Sequence, residues 1–537
     1  ISRVWPDKDW KGAGEELKKR KDSKVSARSW DKAPIRHWDQ WLDDREAHVF
    51  SIAVAGGEPQ ALTLPGSRAL PPQEPGAASY DISPDGELIA FVSNTTRSEV
   101  DANRDIWLLS IGAREPRNLT TDNSAADGAP MFSPDGKRIA FLRTAITRFN
   151  ADTRRLALHD LATGANRLVN ADWDRSLGAA VWNTNGKSLL AAIDDAGTFR
   201  IHEIPLDGKT PRAITGETDF GALDLSRNGT LVALNESFVS PPRLVRIDRR
   251  SGKVTTLDRI NDAALAEIDW GTYESVTYAG AGGAPVQMWV NYPPGFDRSK
   301  TYPLFMLIHG GPHNGVTNRF AWYWNAQVFS GWRYVTAWPN FHGSSGFGQA
   351  FADSINPDQD VLPYEDVIKA TASLSAQPWI DSARMVAGGP SYGGYLTAII
   401  LGRKHPFKAL VAHAPVYNWY TQVASDHGAT LRRDEGEHWK SPELFQKSSP
   451  HFGAANFNTP TLVTHGQQDF RVPVNHGIEL FNTLQNRGVE SRLIYFPDEN
   501  HGIQRPANSI HWNAEVRKWI DRYAIPAPAK ATAAVVD

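Results

Sequence analysis

One hairpin signature recurs along the first half of the chain, and each copy commits its segment to β-structure. The run Tyr80-Asp81-Ile82-Ser83-Pro84-Asp85-Gly86-Glu87-Leu88-Ile89-Ala90-Phe91 returns as Met131-Phe132-Ser133-Pro134-Asp135-Gly136-Lys137-Arg138-Ile139-Ala140-Phe141. Weaker copies run from Val181 to Leu190 and from Leu223 to Val232, with Asn185-Gly186 and Asn228-Gly229 at the turn. Asp-Gly or Asn-Gly between apolar runs is a hairpin turn, because glycine takes positive φ without strain. A second hairpin follows each copy, over Asp105 to Leu119, Arg155 to Val169, Phe199 to Ile214 and Leu244 to Leu257. Two hairpins recurring every 40 to 50 residues or so make one four-stranded propeller blade. A β-sandwich of similar hairpins is the competing architecture, and the regular period favours the propeller. His48 to Leu64 reads as the tail of an earlier unit. A propeller must close to remove its edges. Either residues 1–47 hide further strands, or blades precede Ile1.

The pattern changes near residue 266. Short apolar runs now alternate with helical segments: Leu304 to Ile308, Tyr334 to Ala337, Met385 to Ala387, Ala409 to Ala412, Thr461 to Thr464 and Arg492 to Phe496. Such runs are buried parallel strands. Between them Glu365 to Leu374 reads as a helix, and near the end Trp512, Val516, Trp519, Ile520 and Tyr523 share one helical face. The fold class expected is therefore multidomain, β followed by α/β. Residues 1–265 form a β-propeller incomplete at its N-terminus, residues 266–525 an α/β-hydrolase domain, and residues 526–537 a disordered Pro/Ala-rich tail.

Composition excludes several alternatives. The chain has 537 residues, too many for one domain, and a net charge of −3, so no global field favours nucleic acid or an anionic membrane. No apolar run approaches a membrane span. The absence of cysteine removes disulfides, zinc-thiolate sites and a cysteine nucleophile. The lysine-rich mixed run Glu15 to Lys24 is a solvated face or loop. With Ile1 in place of a methionine, the expectation is a chain that has lost a leader or a larger N-terminal piece, and a periplasmic or secreted location.

The chemistry sits in the second half. Gly389-Pro390-Ser391-Tyr392-Gly393 is entered by the strand Met385 to Ala387 and left by a helix expected over Tyr395 to Arg403. Strand, turn, helix is the elbow that holds a serine exposed above a sheet. Asp469 and then His501 follow, each just beyond the carboxyl end of a strand, on the sheet edge where open α/β folds bind ligands. Serine, acid, histidine is the α/β-hydrolase order. Serine is a weak nucleophile at neutral pH and needs an imidazole oriented by a carboxylate. Asp498 and Glu499 lie too close in sequence to His501 to reach it from a separate strand end. His413, His465 and His476 read as structural or supporting groups. His309-Gly310-Gly311-Pro312 ends the strand Leu304 to Ile308, where the third strand's loop supplies an oxyanion donor. Gly311 N–H and Tyr392 N–H are assigned that role. His309, His313, His342, His465 and His501 lack the paired helical spacing of a zinc protease, so neither metal nor cofactor is expected.

These stretches resemble the prolyl oligopeptidase family of serine peptidases, and the resemblance spans nearly all the chain. Gly388-Gly389-Pro390-Ser391-Tyr392-Gly393-Gly394-Tyr395 looks like its nucleophile motif, with Pro390 an uncommon neighbour. Asn340 to Gly348 looks like its Asn-x-Arg-Gly-Ser-x-Gly-x-Gly block, with His342 where arginine is usual. His309-Gly310-Gly311-Pro312-His313 points to the acylaminoacyl-peptidase branch. Arg36-His37-Trp38-Asp39-Gln40-Trp41, Trp324 to Phe329 and Asp498 to His501 are similar to dipeptidyl-peptidase members of that branch.

The resemblance implies exopeptidase action on short peptides with a free N-terminus, in a cavity roofed by the propeller. Members carry about seven or eight blades, so roughly two or three would be lacking here. A dipeptidyl peptidase needs a carboxylate for the substrate ammonium. Asp39, Asp43 and Asp44 are the candidates, with Trp38 and Trp41 as aromatic walls. The bland alternative is a solvated acidic loop beside buried tryptophans. The apolar side-chain pocket is expected to use Tyr392, Trp419 and Val472. An acylaminoacyl peptidase acting on N-blocked peptides, or a carboxylesterase, would carry the same triad. A propeller-based binding protein with a dead hydrolase is disfavoured by the intact triad. Short peptides are the expected partners, with a homodimer as the possible self-association.

Overall fold

The computed structural model describes residues 1–73, 75–95, 103–426 and 438–525. The expected disordered tail, 526–537, lies outside the described residues. In the first half the repeated turns form as their sequences demand. Ser83 Oγ donates to Asp85 Oδ1 at 2.5 Å and accepts from Leu88 N at 2.9 Å, and Gly86 takes φ +79°. Ser133 repeats this with Asp135 at 2.6 Å and Arg138 N at 2.9 Å. Each turn joins the first two strands of a four-stranded antiparallel sheet whose strands pair in chain order. The four sheets span residues 80–118, 127–168, 176–213 and 219–256. They pack face to face: Ala140 and Leu158 of the second sheet share one apolar cluster with Leu189 and Ile193 of the third.

Ahead of these sheets the described residues pair in short two-stranded ladders, Ser2–Val4 with Glu46–His48 and Phe50–Ser51 with Gln60–Ala61, with a single bridge from Ala47 to Leu70. Residues 1–47 do hold further strands, though no four-stranded sheet like the later ones. They hold an α-helix, Trp10–Asp22, and a short hairpin, Arg36–His37 with Gln40–Trp41. The charged run starting at Glu15 lies mostly on that helix, whose only buried residue is Ala13.

The second half is built on one eight-stranded sheet. Its strands in chain order are β1 (Tyr273–Ala279), β2 (Pro285–Asn291), β3 (Tyr302–Leu307), β4 (Val335–Pro339), β5 (Ile380–Pro390), β6 (Leu410–His413), β7 (Thr461–Gly466) and β8 (Ser491–Phe496). They lie in the order β1-β2-β4-β3-β5-β6-β7-β8. β2 is antiparallel to both neighbours, and every other pairing from β4 to β8 is parallel. All six residues of β3 are buried, as a strand covered on both faces must be. The terminal helix Pro506–Ala524 buries Trp512, Val516, Trp519 and Ile520 against one face.

The two halves meet along a hydrogen-bonded seam. Ala196 N donates to Gly346 O at 3.0 Å, Asn318 N to Gly197 O at 3.2 Å, and Gln349 N to the Asp174 carboxylate at 2.9 Å. The Thr317 hydroxyl donates to Asp219.

Candidate active site

The serine lies where β5 breaks into the helix Tyr392–Leu401. Ser391 takes φ 61° and ψ −122°, a conformation a non-glycine residue holds only when its surroundings dictate it. The glycines on either side dictate it. A methyl on Gly389 or on Gly393 would run into the Ile308 carbonyl oxygen at the end of β3. The turn is therefore pressed against the strand, and only hydrogen fits. Ser391 N donates to His413 O at 2.9 Å, which fixes the elbow to β6. The helix begins at Tyr392, three residues earlier than its sequence suggested, and Tyr392 N–H is among the amides its first turn leaves without an intrahelical partner.

The His309–Pro312 loop crosses above the serine. A methyl at Gly310 would stand 3.2 Å from Ser391 Cβ and 3.8 Å from its Oγ. Gly311, with φ +137°, follows. The loop is braced at both ends. The His309 ring stacks on Phe341 at 3.9 Å and its Nε2 meets Ser344 Oγ at 3.0 Å. Burial lowers the His309 pKa to about 4, so the ring is neutral. His313 Nδ1 lies 3.0 Å from Gly343 O.

Asp469 follows β7 and His501 follows β8. His501 Nδ1 donates to Asp469 Oδ2 at 2.7 Å, and among the described residues Nε2 has no hydrogen-bond partner, so it remains available to the serine proton. Asp469 Oδ1 accepts from Val472 N at 2.8 Å, and His465 Nε2 approaches Oδ2 at 3.3 Å. Burial by itself would raise the Asp469 pKa. The charge of His501 and hydrogen bonds from His465 and His501 outweigh it and hold the carboxyl well below the usual carboxylate range. A permanently ionised acid is what keeps the imidazole in the productive tautomer. Trp38 packs edge-on against His501 with ring centroids 5.4 Å apart, covering one flank of the pair.

The other expected site residues divide. The Arg36–Trp41 hairpin is laid across the loops that carry the acid and the base. Trp38 O accepts from Phe470 N at 2.9 Å, Trp38 N donates to Asp426 Oδ2 at 2.7 Å, and Asp39 Oδ2 accepts from Asn500 Nδ2 at 2.8 Å. Trp41 stacks on Trp30 at 5.3 Å and meets Phe470 edge-on at 5.3 Å. Asp43 and Asp44 have partners of their own: Asp43 is paired with Arg45 at 2.7 Å and Asp44 with Arg20 at 3.0 Å. The three residues expected in the apolar pocket all lie in the buried core of the second half. Trp419 is buried against Tyr395 with its indole N–H on Ser448 O at 2.9 Å. Val472 is buried in the same core and serves the site through its backbone. The Tyr392 ring is likewise buried, with its hydroxyl on Gln359 O.

Besides His413, read from the sequence only as a structural or supporting group, sequence reasoning passed over Asn500 and Asp426. His413 Nε2 lies 3.1 Å from the His501 carbonyl, and His413 Nδ1 lies 2.7 Å from Thr464 Oγ1. Asn500 ties Asp39 to the histidine loop. Asp426, ion-paired with Arg471 at 2.8 Å, anchors the hairpin. Glu499, set aside as a triad acid, instead staples its own loop by accepting from Arg505 N at 3.0 Å and Asn508 Nδ2 at 2.8 Å.

The sequence profile described as the prolyl oligopeptidase family matches residues 319–525, which include Ser391, Asp469 and His501. A protein of Emericella nidulans named probable dipeptidyl-peptidase 5 is 32% identical over 535 residues, covering 93% of this chain and 74% of its own length. The dipeptidyl-peptidase 5 of Aspergillus oryzae is 32% identical over 538 residues, with the same coverage of 93% and 74%. Among solved structures, the acylaminoacyl peptidase of Pyrococcus horikoshii superposes with a TM-score of 0.80 at 19% identity, covering 94% of this chain and 79% of that one. A puromycin-hydrolyzing peptidase of Mycobacterium tuberculosis superposes with a TM-score of 0.66 at 19% identity, covering 94% and 86%. The extent of the match to the two fungal proteins, and the serine–acid–histidine arrangement on this sheet edge, place the chain in the prolyl oligopeptidase family of serine peptidases.

Proposed function

We propose that the chain is a serine exopeptidase that releases dipeptides from the free N-terminus of short peptides, with Ser391, Asp469 and His501 as its triad. His501 Nε2 takes the Ser391 proton as Oγ attacks the scissile carbonyl, and the N–H groups of Gly311 and Tyr392 receive the oxyanion. His501 then protonates the leaving amine, and water attacks the acyl-enzyme by the same path in reverse. Residues 1–265 act in this reading as a propeller roof over residues 266–525, and the seam between them supports it.

The observation that carries the exopeptidase reading is the hairpin Arg36–Trp41. It blocks one side of the catalytic edge and brings a carboxylate, Asp39, beside the histidine loop. Only one oxygen of Asp39 is engaged among the described residues, so the other is open to an ammonium group. A charge-assisted hydrogen bond of that kind orients a substrate's first residue and closes the site to longer N-terminal extensions. The dipeptidyl-peptidase names of the relatives agree with this reading.

The test compares a chromogenic dipeptidyl amide bearing a free amine with its N-acetylated twin and with a chromogenic N-acetyl amino acid, using Ser391→Ala as the inactive blank. Preference for the free amine is expected. Asp39→Asn should raise its KM by roughly 10- to 100-fold, the worth of one charged hydrogen bond. Preference for the blocked substrates would overturn the reading in favour of an acylaminoacyl peptidase.

A further inference from the structure

The loop joining the strands Arg138–Arg143 and Arg155–Asp160 of the second sheet is turned toward the catalytic half. Thr153 N and Oγ1 both donate to Gln349 Oε1, at 2.6 and 2.9 Å. Phe149 packs edge-on against His313, just past Gly311, with centroids 5.1 Å apart. Between those contacts and the third sheet lies Arg154. Its backbone is fixed, with N–H to Ser176 Oγ at 3.2 Å and carbonyl to Leu177 N at 3.1 Å.

The acids around Arg154 are already committed. The Asp174 carboxylate takes Gln349 N at 2.9 and 3.0 Å. Asp195 is held by Arg175 at 2.8 Å and by Arg200. Asp152 pairs with Arg155 at 3.2 Å and accepts Ile146 N at 2.6 Å. The acid that acts on Arg154 is Asp194, which is buried against Gly346 of the seam. Burial pushes its carboxyl upward. Among the described residues the Arg154 guanidinium makes no ion pair and no hydrogen bond. Its side chain is nevertheless solvent-accessible, while burial lowers its pKa, opposed by Asp194. Its neighbours Thr153 and Asp194 touch Gln349 and Gly346, so Arg154 stands on the face of the first half that is turned toward the catalytic half.

We infer that Arg154 receives a carboxylate on the leaving portion of the peptide being cleaved, so that the enzyme favours short peptides ending in a free carboxyl group. The inference rests on the reading of the chain as a peptidase of short peptides. A planar guanidinium with five donors and no protein partner among the described residues matches a carboxylate bidentately. The source of the carboxylate is the C-terminus or an acidic side chain near it; the chemistry of recognition is the same.

The experiment measures kcat/KM on tri- and tetrapeptides as free acids and as C-terminal amides, and on amides carrying Asp or Asn beyond the scissile bond. Wild type, Arg154→Gln and Arg154→Lys are compared, with thermal melting as the check on folding. Wild type is expected to favour carboxylate over amide by roughly 10- to 100-fold, mainly in KM. Arg154→Gln should bring that ratio to about one, and Arg154→Lys should restore part of it. A preference for Asp over Asn amides, lost in Arg154→Gln, assigns the carboxylate to a side chain; a preference confined to free acids assigns it to the C-terminus. A ratio unchanged in Arg154→Gln, or an equal loss on every substrate, would overturn the inference. If wild type cleaves only N-blocked peptides, the dipeptidyl reading fails, and the same acid-to-amide ratio on blocked peptides still judges Arg154.

Discussion

His501 is held at two points, and only one of them belongs to the triad. Its ring is fixed by Asp469 and its backbone carbonyl by His413. Trp512 Nε1–H donates to Thr464 Oγ1 at 3.1 Å, and Thr464 in turn bonds His413 Nδ1. Burial brings the His413 pKa to about 3, so this imidazole is neutral with Nε2 as the donor. His413→Leu should lower kcat by about 10- to 100-fold with a smaller change in KM, because an unsatisfied buried carbonyl costs about 1–3 kcal/mol and loosens the loop carrying the base. The deficit should be the same across neutral and mildly alkaline pH, and His413→Gln should recover part of it. A deficit that tracks pH would mean that His413 titrates and does more than position. The elbow at Ser391 was legible because its motif sits at a strand–turn–helix junction. For His413 only a general structural or supporting role could be read, because its partners lie 51 and 88 residues away and nothing in an Ala-His-Ala-Pro run announces them. Asp39, Asp43 and Asp44 looked equivalent in sequence. Arg20 and Arg45 tell them apart, and those pairings exist only in three dimensions.

At the scale of elements, glycines with the same chemistry carry different weights. Gly86 and Gly393 each serve a turn. At Gly86 an added methyl meets open space and only the positive φ resists it; at Gly393 it meets the Ile308 carbonyl. Gly86→Ala should cost about 1 kcal/mol, the left-handed penalty alone. Gly393→Ala should cost several times more and lower both melting temperature and activity, since β3 and the nucleophile helix cannot separate independently. Urea titration of the two variants measures the difference. The parallel strands were readable as apolar runs between helical stretches. The start of the nucleophile helix was misplaced because Gly393 and Gly394 are poor helix formers, and close packing against β3 and β6 overrides that propensity. The antiparallel β1–β2 pair lacks such a continuous apolar signal, since β1 buries only Tyr278 and exposes four of its seven residues.

For the whole molecule, the seam is the part most sensitive to solution conditions. Asp219 accepts Phe199 N at 2.8 Å and the Thr317 hydroxyl across the seam. Burial raises its pKa to about 7, with Glu236 adding to the rise and Arg319 opposing it. Its folded value lies above its unfolded one, so it favours the folded state most below the ordinary aspartate pKa. That contribution is lost as pH climbs from about 4 to about 7, a loss of ~2–4 kcal/mol. Melting curves should show wild type losing ground to Asp219→Asn over that interval and running parallel to it above. Equal pH dependence in the two proteins would show that the group is not desolvated in the seam. The division into blade-like sheets and one large sheet could be read from period and composition, whereas the hairpin near the start of the chain could not be placed, because its contacts are with residues more than 380 positions later. That hairpin limits how modular the protein is. A chain beginning after residue 265 would leave the Phe470 amide, the Asp426 carboxylate and the Asn500 side chain without the groups that now satisfy them, and would bare one flank of His501 to water. The hydrolase is thus not a portable cassette, and any chimera that gives it a different roof must carry residues 36–41 along.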